Sequence, residues 1–167
     1  MFFVRSKEQI SCPCCSGKMK VIGSRKRGYI DGSGTSNILV VRRLRCSDCK
    51  RIHHELPDIL VPYKRHGSEN IEAGVDGSGN LSVPADESTI RSWRIWFQSM
   101  CNYFLGCLLS VTIRCGKEFV EEESSLPKSK LQRIWQYVGD APGWLARCVR
   151  PIVNSNLWIH TRSAFMS

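Results

Sequence analysis

The chain has 167 residues, with 24 Lys/Arg against 15 Asp/Glu and nine cysteines. Its length suits one ordinary domain, or a small metal-stapled module joined to a helical one. The opening stretch, Met1-Phe2-Phe3-Val4-Arg5-Ser6-Lys7-Glu8, lacks the apolar run and cleavage site of a secretory leader, which argues against a disulfide scaffold and for reduced thiols in a cytoplasmic protein.

Charge is unevenly spread. Residues 1–66 hold fourteen Lys/Arg and five Asp/Glu, whereas residues 67–167 hold ten of each. A basic module attached to a neutral body points to a polyanionic partner.

In chain order, the first feature is Cys12-Pro13-Cys14-Cys15, matched thirty residues later by Cys46-Ser47-Asp48-Cys49. Two CxxC pairs have the spacing of a four-thiolate zinc site, because the two intervening residues let both sulfurs reach one ion while backbone amides point at them. Cys12, Cys15, Cys46 and Cys49 are therefore the expected ligands of one structural Zn2+. Pro13 stiffens the first turn, and Gly17 stands where a knuckle needs tolerance of positive φ. The pairs flank a pattern of two strands, Lys18–Ile30 and Ile38–Arg45, with a turn signal at Asp31-Gly32-Ser33-Gly34. A third strand, Arg51–Leu56, follows the second pair. This is the pattern of a zinc ribbon.

Arg25, Lys26 and Arg27 are expected to face Arg42, Arg43 and Arg45 across the hairpin. Like charges placed opposite one another cost stability, so an anionic ligand would explain them. His53 and His54 could replace a cysteine or support the site, but four cysteines already complete a tetrahedron.

From Leu56 to His66 the chain reads as a connector carrying Lys64 and Arg65. Ser68 is expected to cap a short helix over Glu69–Val75. A second DGSG at Asp76 reads as another turn, since a calcium loop would need more carboxylates. Asp86 or Ser88 caps the next helix, whose Ile90, Trp93, Phe97, Met100, Phe104, Leu108 and Val111 recur at helical spacing. Residues 95–113 are uncharged, yet their polar content favours a core helix over a membrane span. Glu121–Glu123 read as an exposed acidic loop. Two more apolar stripes follow, Leu131 to Val138 and Trp144 to Val153, and Leu157 with Trp158 should fold the tail back onto the body. All five tryptophans lie after residue 92, which puts the expected main core in this helical part.

The expected fold class is thus α+β: a β zinc ribbon with its basic connector over residues 1–66, then an all-α region over residues 67–167. No nucleophile–base pair, carboxylate cluster or glycine-rich phosphate loop is visible, so catalysis is not expected. Arg91 and Arg94 sit in the first turns of a capped helix, as base-contacting residues do in a helix-turn-helix, and residues 68–100 have that look. The expected partner is double-stranded DNA, contacted by Arg25, Lys26, Arg27, Arg42, Arg43, Arg45, Lys64, Arg65, Arg91 and Arg94. The competing class is a protein-interaction module in a nucleic-acid assembly, and the Trp-rich helices could serve a protein partner or a homodimer.

Cys12-Pro13-x-Cys15, Arg42-Arg43-Leu44-Arg45-Cys46-x-x-Cys49-x-Arg51-x-His53, Leu56-Pro57-Asp58 and Pro62-Tyr63-Lys64-Arg65 resemble transposase-type zinc ribbons. More closely, residues 10–97 resemble a bacterial domain of unknown function common in Firmicutes, in which such a ribbon precedes Ser-Thr-Ile-Arg-x-Trp. The resemblance implies DNA binding connected with mobile elements, and zinc held by the four cysteines. The chain lacks the acidic-triad catalytic domain of a full transposase.

Overall fold

The computed structural model describes residues 1–6, 11–77, 83–117, 128–158 and 164–166. In order they form β1 (Phe2–Phe3), β2 (Met19–Ile30), β3 (Ser36–Cys46), β4 (Ile52–Leu56), α1 (Ser68–Asp76), α2 (Glu87–Arg114), α3 (Lys130–Val138), α4 (Trp144–Asn154) and β5 (Ala164–Met166). The class is mixed α+β, a sheet of N-terminal strands followed by four helices. The Glu121–Glu123 loop, Ser78 and Gly79 of the second DGSG, and Ile159 lie outside the described residues.

β3 is the centre of the sheet because it is β-branched, long and bonded on both edges. Along one edge runs β2, antiparallel over the whole hairpin. The other edge is shared end to end by β1, parallel at Leu39–Val40, and β4, antiparallel at Arg43–Arg45. Three residues of the tail then pair in parallel with β4. The hairpin turn is set by Asp31, whose carboxylate accepts the backbone N–H of Ser33 and of Thr35, both at 3.0 Å, while Gly34 takes φ 82.

The register corrects the expected confrontation of arginines. Arg25 lies opposite Val41, Lys26 opposite Val40 and Arg27 opposite Leu39, while Arg42 and Arg43 face Ser24 and Gly23. Only Lys20 and Arg45 stand directly opposed. A bulge between Val21 and Gly23 sets the offset. Staggering the cations separates charges that would otherwise repel at cross-strand distance.

Two of the four helix starts, those of α2 and α3, follow local chemistry. The Asp86 carboxylate accepts the Thr89 N–H at 2.7 Å and caps α2, and Ser129 with Gln132 forms a reciprocal capping box on α3. α1 does not: Gly67 is its cap, and Ser68, expected there, instead donates to the carbonyl of Asp58. α4 has no side-chain cap of its own at Gly143. The buried carboxylate of Glu72 on α1 fills that role, accepting the N–H groups of Gly143 (2.7 Å) and Leu145 (2.9 Å). Asp76 adds a bond from the Trp144 indole.

The core is one cluster that crosses the expected boundary. Leu39, Val41 and Leu56 of the sheet join Leu60, Val61 and Ile71, then Trp93, Phe97, Phe104, Ile134, Trp144, Leu145 and Ile152 of the helices. Gly74 lets α1 close on α2, since a Cβ there would stand 2.9 Å from the Trp93 ring. Trp144 meets Phe97 edge-on at 5.4 Å, and Trp158 stacks on Phe104 at 5.6 Å. No helix among the described residues is long and apolar enough to cross a membrane.

Candidate metal centre and basic hairpin

The two cysteine pairs fold into the same knuckle. In the first, Cys12 N–H bonds the Gly17 carbonyl at 2.9 Å; in the second, Cys46 N–H bonds the Arg51 carbonyl at 2.9 Å. Each leading sulfur accepts an amide from two residues on, Cys14 to Cys12 and Asp48 to Cys46, both at 3.4 Å. The residue after each pair is left-handed: Ser16 at φ 61 and Lys50 at φ 62. Such a backbone costs on the order of 1 kcal/mol at each non-glycine residue, strain that is retained where the surrounding structure requires it.

Gly17 is not the positive-φ residue that its place in the sequence suggests. A side chain there would collide instead, 2.9 Å from the Cys46 sulfur and closer still to the Asp48 carboxylate. Glycine is needed so that the first knuckle can press against the second.

The knuckles bring Cys12, Cys15, Cys46 and Cys49 together with every sulfur within 4.8 Å of the others. Cys12 lies 3.6 Å from Cys49, and Cys15 lies 3.5 Å from Cys46. An ion held by four thiolates at about 2.3 Å would need sulfur edges near 3.8 Å, so the cluster is the right size. Proton chemistry agrees. Burial pushes the Cys12 thiol up, whereas the Asp48 and Cys49 amides and neighbouring thiols outweigh burial at Cys46 and bring it down to about 7. Four crowded sulfurs cannot all ionise unaided; a divalent cation would hold all four as thiolates. The group could hold a metal ion, and zinc fits its donor set.

His53 is fully buried and places Nε2 3.4 Å from the Cys12 sulfur. It touches one member of the quartet, and with Cys12 and Cys14 it forms a second close group. Cys14 is not a member of the quartet and accepts a bond from Arg51 at 3.3 Å. Arg51 also feels the charge of Cys12 and Cys49. It would offset the negative charge of a metal held by these thiolates, and sequence reasoning missed it. The signal was its position: Arg51 occupies in the second knuckle the place of Gly17 in the first.

The expected nucleic-acid residues divide by what they touch. Arg42 forms a two-pronged pair with Glu55, at 2.5 and 2.7 Å, and Glu55 is fully buried. The same carboxylate accepts the Ser6 N–H, which ties the N-terminal segment to the sheet. Arg27 turns inward and donates to the carbonyls of Val61 and Lys64. Lys64 lies 4.2 Å over the Trp96 ring, and Arg94 donates to the Gly74 carbonyl at 2.7 Å. Arg25, Lys26, Arg45, Arg65 and Arg91 are exposed, and Arg43 is half-buried. None of these six makes an ion pair among the described residues.

Side-chain alternation puts Lys20, Arg25, Arg27, Arg43 and Arg45 on one face of the hairpin. It is the face of Leu39 and Val41, whose far end packs on the helices. A basic stripe therefore runs from the knuckle end of the hairpin toward the turn at Val61–Lys64.

Residues 12–93, just under half of the chain, match the family model described as a domain of unknown function (DUF6431). The match takes in both knuckles, the hairpin, α1 and the start of α2, the segment marked out by motif resemblance. Neither the curated proteins nor the solved structures gave a match.

Proposed function

We propose that this chain is a zinc-ribbon protein that binds DNA, with Cys12, Cys15, Cys46 and Cys49 holding one structural zinc ion. The carrying observation is the hairpin stripe of Lys20, Arg25, Arg27, Arg43 and Arg45, five cations on one face with no carboxylate partner among the described residues. Such a face is unfavourable until an anion neutralises it, and a phosphate backbone does so with regular spacing. Lys20, Arg25, Arg43, Arg45 and Arg65 are the phosphate contacts in this reading, whereas Lys26 alternates onto the opposite face of the hairpin. Arg42 is excluded because Glu55 already cancels its charge.

The helix pair α1–α2 supplies the second half of the reading. Arg91 is exposed in the first turn of α2, where a guanidinium can reach a guanine edge. Arg94, held by Gly74, positions the pair. The resemblance of residues 10–97 to transposase-type ribbons supports a role with mobile elements. The chain acts by binding, without catalysis of its own.

The test combines metal analysis with duplex binding at two salt concentrations. One zinc per chain is expected, and affinity should fall with salt with a slope near −0.9 for each phosphate contacted. Arg91→Ala should weaken a selected site by about 1–3 kcal/mol and random duplex little. Salt-independent binding to a protein, with no duplex affinity, would replace this reading by the docking-module alternative.

A further inference from the structure

We propose that Tyr63 is a stacking platform for an unpaired nucleobase, so that the partner class is nucleic acid with single-stranded or unpaired bases beside its phosphates. The proposal rests on the DNA-binding reading above and names the kind of nucleic acid. Its basis is a turn built at some cost to display one ring.

Val61-Pro62-Tyr63-Lys64 closes with a bond from Lys64 N–H to the Val61 carbonyl at 3.0 Å. Proline holds the second position and Tyr63 the third, at φ 65. That third position in a turn of this kind is one that glycine or asparagine fills without strain. The turn is nevertheless held from several sides. Arg27 donates to the carbonyls of both end residues, at 3.4 and 3.0 Å. Lys64 sits on Trp96, and Ile30 N–H bonds the Arg65 carbonyl at 2.9 Å. Leu60, Val61 and Pro62 are buried.

Tyr63 gains nothing from all this, because its side chain remains 66% exposed. A residue selected for the turn alone would be glycine, and one selected for packing would be covered. What surrounds the ring says what it awaits. Arg27 lies within electrostatic reach of the ring, and Lys64 and Arg65 are its chain neighbours. A flat aromatic ring beside cations that no carboxylate neutralises among the described residues matches the two faces of an unpaired nucleotide, base and phosphate.

The experiment uses the zinc-loaded chain of 167 residues as wild type and two variants, Tyr63→Gly and Tyr63→Phe. The probes are a fluorescent single strand of about twenty thymidines, a blunt duplex, and the same duplex with a short single-stranded overhang. Tyr63→Gly should melt at the wild-type temperature or above, since glycine relieves the left-handed strain. It should lose about tenfold in affinity for the single strand and the overhang while leaving the blunt duplex unchanged, and Tyr63→Phe should retain wild-type binding. A lower melting temperature for Tyr63→Gly would make the ring structural and overturn the proposal. Single-strand affinity equal to wild type would also overturn it and leave the ring to a protein partner, with the DNA-binding reading intact if the duplex binds in a salt-dependent way. Failure of the wild type to bind any probe removes both.

Discussion

At the scale of the residue, cysteines of one knuckle pair differ from their neighbours in what they hold. Cys46→Ser removes one corner of a four-sulfur cluster and should abolish stoichiometric zinc while unfolding the hairpin, because the metal's binding energy is folding energy here. Cys14→Ser only removes an acceptor from Arg51 and should leave the zinc in place. Metal content by atomic absorption separates the two, and equal loss from both would overturn the ligand set. Gly17→Ala should also lower zinc retention, since its methyl group would enter the space between Asp48 and the Cys46 sulfur. At Gly74 the obstruction is the Trp93 ring, and Gly74→Ala should cost about 1–3 kcal/mol in denaturant unfolding as α1 is forced off α2.

At the scale of the element, much was legible. The strand limits follow the β-branched run of β3 and the Asp31 turn, and α2 begins at the Asp86 cap with its buried stripe of Trp93, Phe97 and Phe104 as spaced. These are local signals, carried by neighbours in sequence. What was illegible depends on pairs far apart. The Arg42–Glu55 bond needs the β3–β4 register, the arginine stagger needs the bulge near Ile22, and nothing local announces the three residues of β5 or the left-handed Tyr63. The cysteine quartet was legible because CxxC fixes half of the geometry within each turn. The α2 cap also carries a pH signature. Bonds from the Ser88 hydroxyl and the Thr89 amide hold Asp86 below its usual 3.8. Its contribution is therefore complete above that value and lost as pH falls through the lower, folded one. Asp86→Ala should lower the melting temperature at neutral pH, and the difference from wild type should shrink progressively as pH is taken below 3.8 in circular dichroism melts.

At the scale of the molecule, carboxylates of the family-matched segment tie it to α4: Glu72 at the helix start, Asp76 at the Trp144 indole and Asp58 at Arg150. Glu72, on α1, holds the first amides of α4 while α4 packs on the rest of the core. Glu72→Ala would leave the buried Leu145 donor unsatisfied and remove the acceptor from Gly143. A loss of about 1–3 kcal/mol is expected in urea unfolding, with zinc content unchanged. Concurrent loss of zinc would mean that the latch reaches the metal centre more directly than the contacts indicate.

β3 gives the molecule a common beam. The strand ends in the sulfur cluster at Cys46 and, a few residues earlier, lends Leu39 and Val41 to the cluster of tryptophans. Disturbance at one end is therefore felt at the other as a loss of alignment, and not merely as a local vacancy. In a calorimeter the zinc-loaded chain should give one endotherm, since neither the sulfurs nor the rings can release the strand alone. Stripping the metal with a chelator should broaden and lower that same peak, carrying tryptophan fluorescence down with it although no tryptophan lies near a cysteine of the quartet in sequence. The fluorescence of residues beyond 92 would then serve as a gauge of what happens at residue 12.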